Sequence, residues 1–127
     1  MISEMCLTDD ADQDPVQNPS WVAIERAINE LDGSARTGLI LRMDSPDRHM
    51  GIAGGPDLFL AYVTWDNRRF HNLINAAGSV RKVELAAAGQ ITEVSERQCV
   101  NRWAVIEAAR TLFQSEKLAE SVSWETT

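Results

Sequence analysis

The chain is poor in the side chains from which most catalytic and metal chemistry is built: two cysteines and two histidines among 127 residues. Two cysteines cannot make a disulfide framework. Cys6 stands in a polar N-terminal stretch and Cys99 near the start of a predicted helix, so no stable bridge between them is expected. With His49 and His71 the only imidazoles, and no HxxxH or CxxC spacing, zinc has no ligand set. Asp44, Asp47 and Asp57 lack the alternating ligand positions and closing Glu of a calcium loop. No catalytic residue, cofactor or metal is therefore expected.

Long apolar runs are missing too. None approaches the roughly 20 residues that span a bilayer. The opening MISEMCLTDDADQDP lacks the basic start and apolar stretch of a secretory signal, so the expected compartment is the cytoplasm. Basic charge is absent from residues 1–18, which hold Glu4, Asp9, Asp10, Asp12 and Asp14 and no Lys or Arg. That segment carries most of the net charge of −7; the remaining 14 acids and 12 bases nearly cancel. Residues 1–18 are predicted to be a disordered acidic leader, with residues 19–127 as a single domain. The body has no basic stripe either, only the short pairs Arg68–Arg69 and Arg81–Lys82, so direct nucleic-acid binding is not expected.

What remains has the composition of a globular domain: 44% apolar and 24% charged residues. "NPSWVAIERAINELDGS" reads as a helix capped by Asn18, with Pro19 in the first position and Gly33 past the end. Its stripe is Trp21, Ile24, Ile28 and Leu31. The period then shortens. Strands are predicted at 37–43, 49–54, 58–65 and 69–75, separated by "DSPDR", "GGPD" and "DN" turns. The third of these is apolar on both faces and belongs inside the sheet. Two more strands flank Ala88–Gly89, at 81–87 and 90–95. Helical spacing returns over 99–117, with Val100, Ala104, Ala108 and Leu112 in one row and Trp103, Ile106, Ala109 and Phe113 in the next. A last short strand falls at 121–125. The order predicts an α+β fold: an antiparallel sheet of about five to seven strands with two main helices packed on one face.

Two motifs invite a chemical reading. Gly54–Gly55 resembles part of a phosphate loop, but Pro56 offers no N–H, Asp57 would repel an anion, and a strand follows instead of a helix. The pair is read as a turn. Cys99 at a helix start has the position of an activated thiol, yet nothing in the pattern supplies a histidine beside it. Of the four tryptophans, Trp21 and Trp103 fall on apolar helix faces and are predicted to be core, whereas Trp65 and Trp124 end their elements and are candidate anchors.

The layout itself carries a resemblance. "MGIAGG" before a strand, "AAGQITEVSERQCV" leading into a helix, "AVIEAARTLF" within it and the terminal "VSW" resemble immunity protein family one of bacterial polymorphic toxin systems, over residues 21–125. The resemblance implies a non-enzymatic protein that binds a cognate toxin domain, often a nucleic-acid deaminase, and occludes its cleft. In an antiparallel meander, Asp44, Asp47, Trp65 and Asp66 would share one rim, making them the first candidates for partner binding. Asp57 and the pair Trp124–Glu125 come next. Two readings stay open beside it. One is a small-molecule-binding or enzymatic domain using Cys99, His71 or the Gly54–Gly55 turn. The other is a structural module that forms a homodimer through a free sheet edge.

Overall fold

Residues 2–9 and 14–127 are described in the computed structural model of the protein. Their elements in chain order are β1 (Glu4–Leu7), β2 (Val16–Gln17), α1 (Trp21–Asn29), β3 (Gly38–Arg42), β4 (His49–Gly54), β5 (Phe59–Thr64) and β6 (Phe70–Ile74). Then follow β7 (Lys82–Ala87), β8 (Gln90–Ser95), a 3₁₀ turn at Glu96–Gln98, α2 (Arg102–Ser115) and β9 (Ser123–Thr126). Seven strands make one antiparallel sheet in the order β2-β1-β3-β4-β5-β6-β9, and β7 with β8 make a separate hairpin. The fold is α+β, as the sequence order predicts.

Strand register explains which face is covered. Leu41 lies opposite Met50, which lies opposite Val63; Leu39, Ile52 and Ala61 make the next row. Side chains alternate across a strand, so these six share one face. All are buried, and Ile24 and Ile28 of α1 close over them with Val105, Ala108, Ala109 and Leu112 of α2. Each buried Leu, Ile, Val or Met among them contributes about 1.5–3 kcal/mol by leaving water. As predicted, β5 is interior, between β4 and β6.

The acidic leader is the main correction. Residues 4–7 are not disordered: they form β1 and pair along their whole length with β3, Met5 opposite Leu41 and Leu7 opposite Leu39. Val16–Gln17 pairs on β1's outer side. The domain thus includes residues assigned to the leader, and Ile2 is 1% exposed. Composition misled because it averages over the segment. Ile2, Met5 and Leu7 suffice to complete the apolar face, while Glu4 points to the other face and pairs with Arg42 at 2.9 Å. Asp10 and Asp12 lie outside the described residues.

Both helices begin later than predicted. Asn18 adopts a left-handed conformation with φ of 48°, and Ser20 caps α1 instead by accepting the Ala23 N–H at 3.1 Å. The end of α1 is set by Glu30, with Gly33 in the loop beyond. Cys99 and Val100 precede α2 in extended conformation, because Val100 exchanges two backbone hydrogen bonds with Phe59 and so extends the sheet where β6 diverges. Asn101 then caps α2. The phase of α2 corrects the placement of Trp103 in the core. The buried line of α2 runs through Val105, Ala108 and Leu112, and Trp103, two residues before Val105, lies about 200° around the helix from it. It is 58% exposed.

The β7–β8 hairpin stands apart from the large sheet but its tip is tied to it. Ala88 (φ 50°) and Gly89 (φ 82°) form the turn, left-handed at both positions as two-residue hairpins favour. Buried Thr37 receives this tip: its carbonyl accepts from Ala88 N–H and Gly54 N–H, and its hydroxyl oxygen accepts from Gly89 N–H at 2.7 Å. The Thr37 hydroxyl and N–H both donate to Asp9, at 2.7 Å each. One residue thus joins the N-terminal strand, the meander and the hairpin. Partial burial opposes ionisation of Asp9, but its hydrogen bonds from Thr37, Gly38 and Thr8 outweigh that and hold its carboxyl below the usual range. A carboxyl lowered in this way contributes stability that is complete above its unfolded pKa and is lost as pH falls through the folded value. Thr37→Val keeps the shape and removes the hydroxyl, leaving Gly89 N–H and one Asp9 oxygen unpaired. It is expected to cost about 2 kcal/mol and to lower Tm by about 6–10 °C. Thermal melts check this, with Thr37→Ser as the variant expected to retain most of the stability. Faster amide exchange at Gly89 in Thr37→Val would locate the loss at the tip.

Candidate partner-binding site

The predicted rim residues emerge at one end of the meander. The β3–β4 loop carries Asp44 and Asp47, and the β5–β6 loop carries Trp65 and Asp66. Arg48 joins the two loops: its guanidinium bonds Asp44 at 2.9 Å and lies 5.4 Å from the centre of the Trp65 ring. Trp65 is half-buried and packs on the core. The Asp66 carboxylate accepts the backbone N–H groups of Arg68 and Arg69, both at 2.9 Å, which holds it below the usual carboxylate range and makes it a turn former. Arg48, Arg68 and Arg69 match Asp44, Asp47 and Asp66 in number within these two loops, so the rim carries no net negative charge of its own.

The remaining candidates lie elsewhere. Asp57 sits at the opposite end of the meander, in the β4–β5 loop. Trp124 is half-buried on the core and its indole N–H donates to the Ala119 carbonyl at 2.8 Å. Glu125 is paired with Arg97.

The groups considered for chemistry each have a structural partner. Gly54 N–H donates to the Thr37 carbonyl and Gly55 N–H to the Leu58 carbonyl, so neither is turned toward a common anion. Burial, together with nearby Glu96, pushes the Cys99 thiol up, away from the thiolate a nucleophile needs. Its Sγ–H points to the Ser95 carbonyl at 3.7 Å, and His71 is engaged with the Thr126 hydroxyl at 2.8 Å. Cys6 and Cys99 are both free thiols. Among the described residues, no three His, Cys, Asp or Glu side chains converge as a metal site, and no helix is long and apolar enough to cross a membrane.

Sequence reading missed two surfaces. The first is the sheet face turned away from the helices, where Arg42, His49, Tyr62 and Phe70 stand together by register. His49 Nδ1 lies 3.2 Å from the Pro46 carbonyl and so carries the proton, leaving Nε2 to accept from the Tyr62 hydroxyl at 3.1 Å. Burial lowers the His49 pKa and keeps the ring neutral near neutral pH. The Tyr62 ring lies over Gly51, where an added Cβ would come within 2.4 Å of it, and meets Phe70 edge-on at 5.3 Å. The available signal was that Arg42, His49 and Phe70 each alternate with the buried apolar residues of their own strands, Leu41, Met50 and Leu73.

The second surface is made by two adjoining grooves that share Leu58. One, of about 420 Å³, lies between the β4–β5 loop and the hairpin and is lined by Asp32, Pro56, Asp57, Glu84 and Ile91 among others. The other, of about 400 Å³, runs past Ile74, Val100, Trp103 and Val122. Leu58, Ile91 and Trp103 are 43%, 74% and 58% exposed. No sequence signal joins these three, because loop, hairpin and helix meet only through the tertiary fold.

The chain matches no protein-family model and no curated protein.

Proposed function

We propose that this protein is an immunity protein, which binds a cognate bacterial toxin domain and occludes its active-site cleft without catalysis of its own. The observation that carries the reading is Trp103. A large aromatic side chain, 58% exposed, projects from the first turn of a helix whose opposite side is locked into the core. Tryptophan loses little conformational freedom on binding and is enriched at the centres of protein interfaces, so an exposed Trp on a rigid element suits an anchor. The sequence layout resembling immunity protein family one supports the same reading and adds the expected partner, a toxin domain such as a nucleic-acid deaminase.

Immunity genes commonly neighbour their toxin genes, which supplies the test. The toxin domain encoded beside this chain's gene is produced in cells with and without the protein. Growth is expected to be rescued by the protein, and titration calorimetry of the purified pair is expected to give a one-to-one complex. Trp103→Ala is expected to weaken that complex by about 2 kcal/mol, or roughly 30-fold. A toxin that kills equally in both cells, with no heat of binding, would sink the proposal.

A further inference from the structure

We infer that the paired grooves around Leu58 receive a basic loop of the partner, one that presents Arg or Lys next to a bulky apolar side chain. This rests on the immunity reading for the partner's identity, but the chemistry of the loop is read from the surface itself. The apolar half of the match is the exposed run Ile91, Leu58 and Trp103, continuous across both grooves. Solvent would otherwise wet three large hydrophobic side chains drawn from a hairpin, a loop and a helix.

The charged half follows from the hairpin register. Glu84 lies directly opposite Glu93 on the outer side of the hairpin, beside the pair Ala86–Ile91. Like charges facing each other across two strands repel, and no ion pair relieves either among the described residues. Asp57 is also without an ion pair there, whereas Asp32, like Asp66, accepts two backbone N–H groups of its own loop, those of Arg36 and Ser34. Asp32, Asp57 and Glu84 all line the first groove, and no Lys or Arg does. Two cations stand near this groove, and neither makes an ion pair with its carboxylates among the described residues. Arg102 donates to the Pro56 carbonyl at 2.8 Å, and Lys82 lies one pleat along β7 from Glu84, opposite Ser95. An incoming guanidinium or ammonium would therefore find Asp57 and Glu84 free to pair with it and would relieve the Glu84–Glu93 repulsion. The rim at the other end, where arginines already match the aspartates, has no such deficit. A partner that handles a polyanionic nucleic acid must itself carry basic loops, which is the complementary surface.

Two measurements test this. In the first, the isotopically labelled protein is titrated with a peptide of alternating Arg and Leu and, separately, with its Glu–Leu counterpart. Shifts are expected only with the basic peptide, grouped on Gly55–Leu58, Glu84–Ala86, Ile91 and Trp103, and weakening as salt is raised. Shifts scattered over the surface, or equal for both peptides, would overturn the inference. In the second, the double variant Asp57→Lys/Glu84→Lys, whose exposed positions leave folding intact by thermal melt, is compared with Asp44→Lys/Asp47→Lys/Asp66→Lys for binding of the neighbouring toxin domain. The groove variant is expected to lose at least ~10-fold in affinity and the rim variant less than ~3-fold. The reverse ranking would overturn the groove while leaving the immunity reading in place. A toxin domain that the wild-type protein does not bind would remove that reading, and the peptide titration would still decide the groove.

Discussion

Deleting residues 1–9 is expected to remove most of the stability of the protein. By composition those residues belong to an acidic leader, yet Ile2 is 1% and Met5 8% exposed. Burying the two contributes about 1.5–3 kcal/mol each. The deletion also removes the β1–β3 ladder and uncovers the edges of Leu39 and Leu41, which β1 shields by register. With Asp9 go both of its hydrogen bonds from Thr37, loosening the residue that holds the hairpin tip. Together the loss is about 5 kcal/mol or more, against a total of about 5–15 kcal/mol for a domain. Tm should fall by at least ~15 °C, and urea titration should show an early, broadened transition. A melt unchanged within a few degrees would mean that β1 does not form part of the folded domain. A shorter deletion discriminates further: without Met1 and Ile2 alone, about 2 kcal/mol should be lost.

The strands from β3 onward were legible in the sequence because each is a short apolar run bounded by turn residues. The predicted runs 49–54 and 90–95 coincide with β4 and β8, and the others differ by one or two residues at their ends. Helix faces were legible where the stripe sits mid-helix, as with Ile24 and Ile28. What failed depended on partners distant in sequence. Met5 and Leu7 read as leader residues because the strand that accepts them begins at Gly38. Cys99 and Val100 read as helix because their extended path is fixed by Phe59, some forty residues earlier. Trp103 read as core in a row with Ile106, Ala109 and Phe113, but the buried line of α2 is led by Val105, which leaves Trp103 on the outside. The candidate site suffered most. Local signals picked turn-forming aspartates such as Asp66, whose carboxylate serves its own loop. The grooves at Leu58 join residues 32, 57, 84, 91 and 103, and no window of the sequence contains them.

Gly55→Ala is the single substitution expected to cost most. Gly54–Gly55 drew attention as a possible phosphate cradle, and its role is closer to a clamp. Gly55 has φ of 100°, a conformation that side chains rarely adopt, and holding a residue with a Cβ there costs about 1–2 kcal/mol. A Cβ there would also stand 2.3 Å from the Leu31 carbonyl oxygen, and one on Gly33 would stand 2.3 Å from the Gly55 carbonyl oxygen. The α1–β3 loop and the β4–β5 loop thus touch backbone to backbone through two glycines. Backbone cannot swing aside like a flexible side chain, and Leu31, 1% exposed, is anchored in the core. Forcing the loops apart adds about 1–3 kcal/mol of overpacking, for a total near ~3–4 kcal/mol. Gly89→Ala separates the two causes. Gly89 has φ of 82° but nothing within 4 Å of an added Cβ, so its substitution should cost only about 1 kcal/mol. Denaturant titrations of both variants read the difference. Equal losses would assign the Gly55 effect to backbone conformation alone, whereas a Gly55 loss at least twice that at Gly89 is the result expected from contact with Leu31. Because Gly55 and Asp57 share the loop that forms one wall of the acidic groove, Gly55→Ala should also broaden the amide signals of Asp57 and Leu58, linking the stability of that turn to the order of the proposed binding surface.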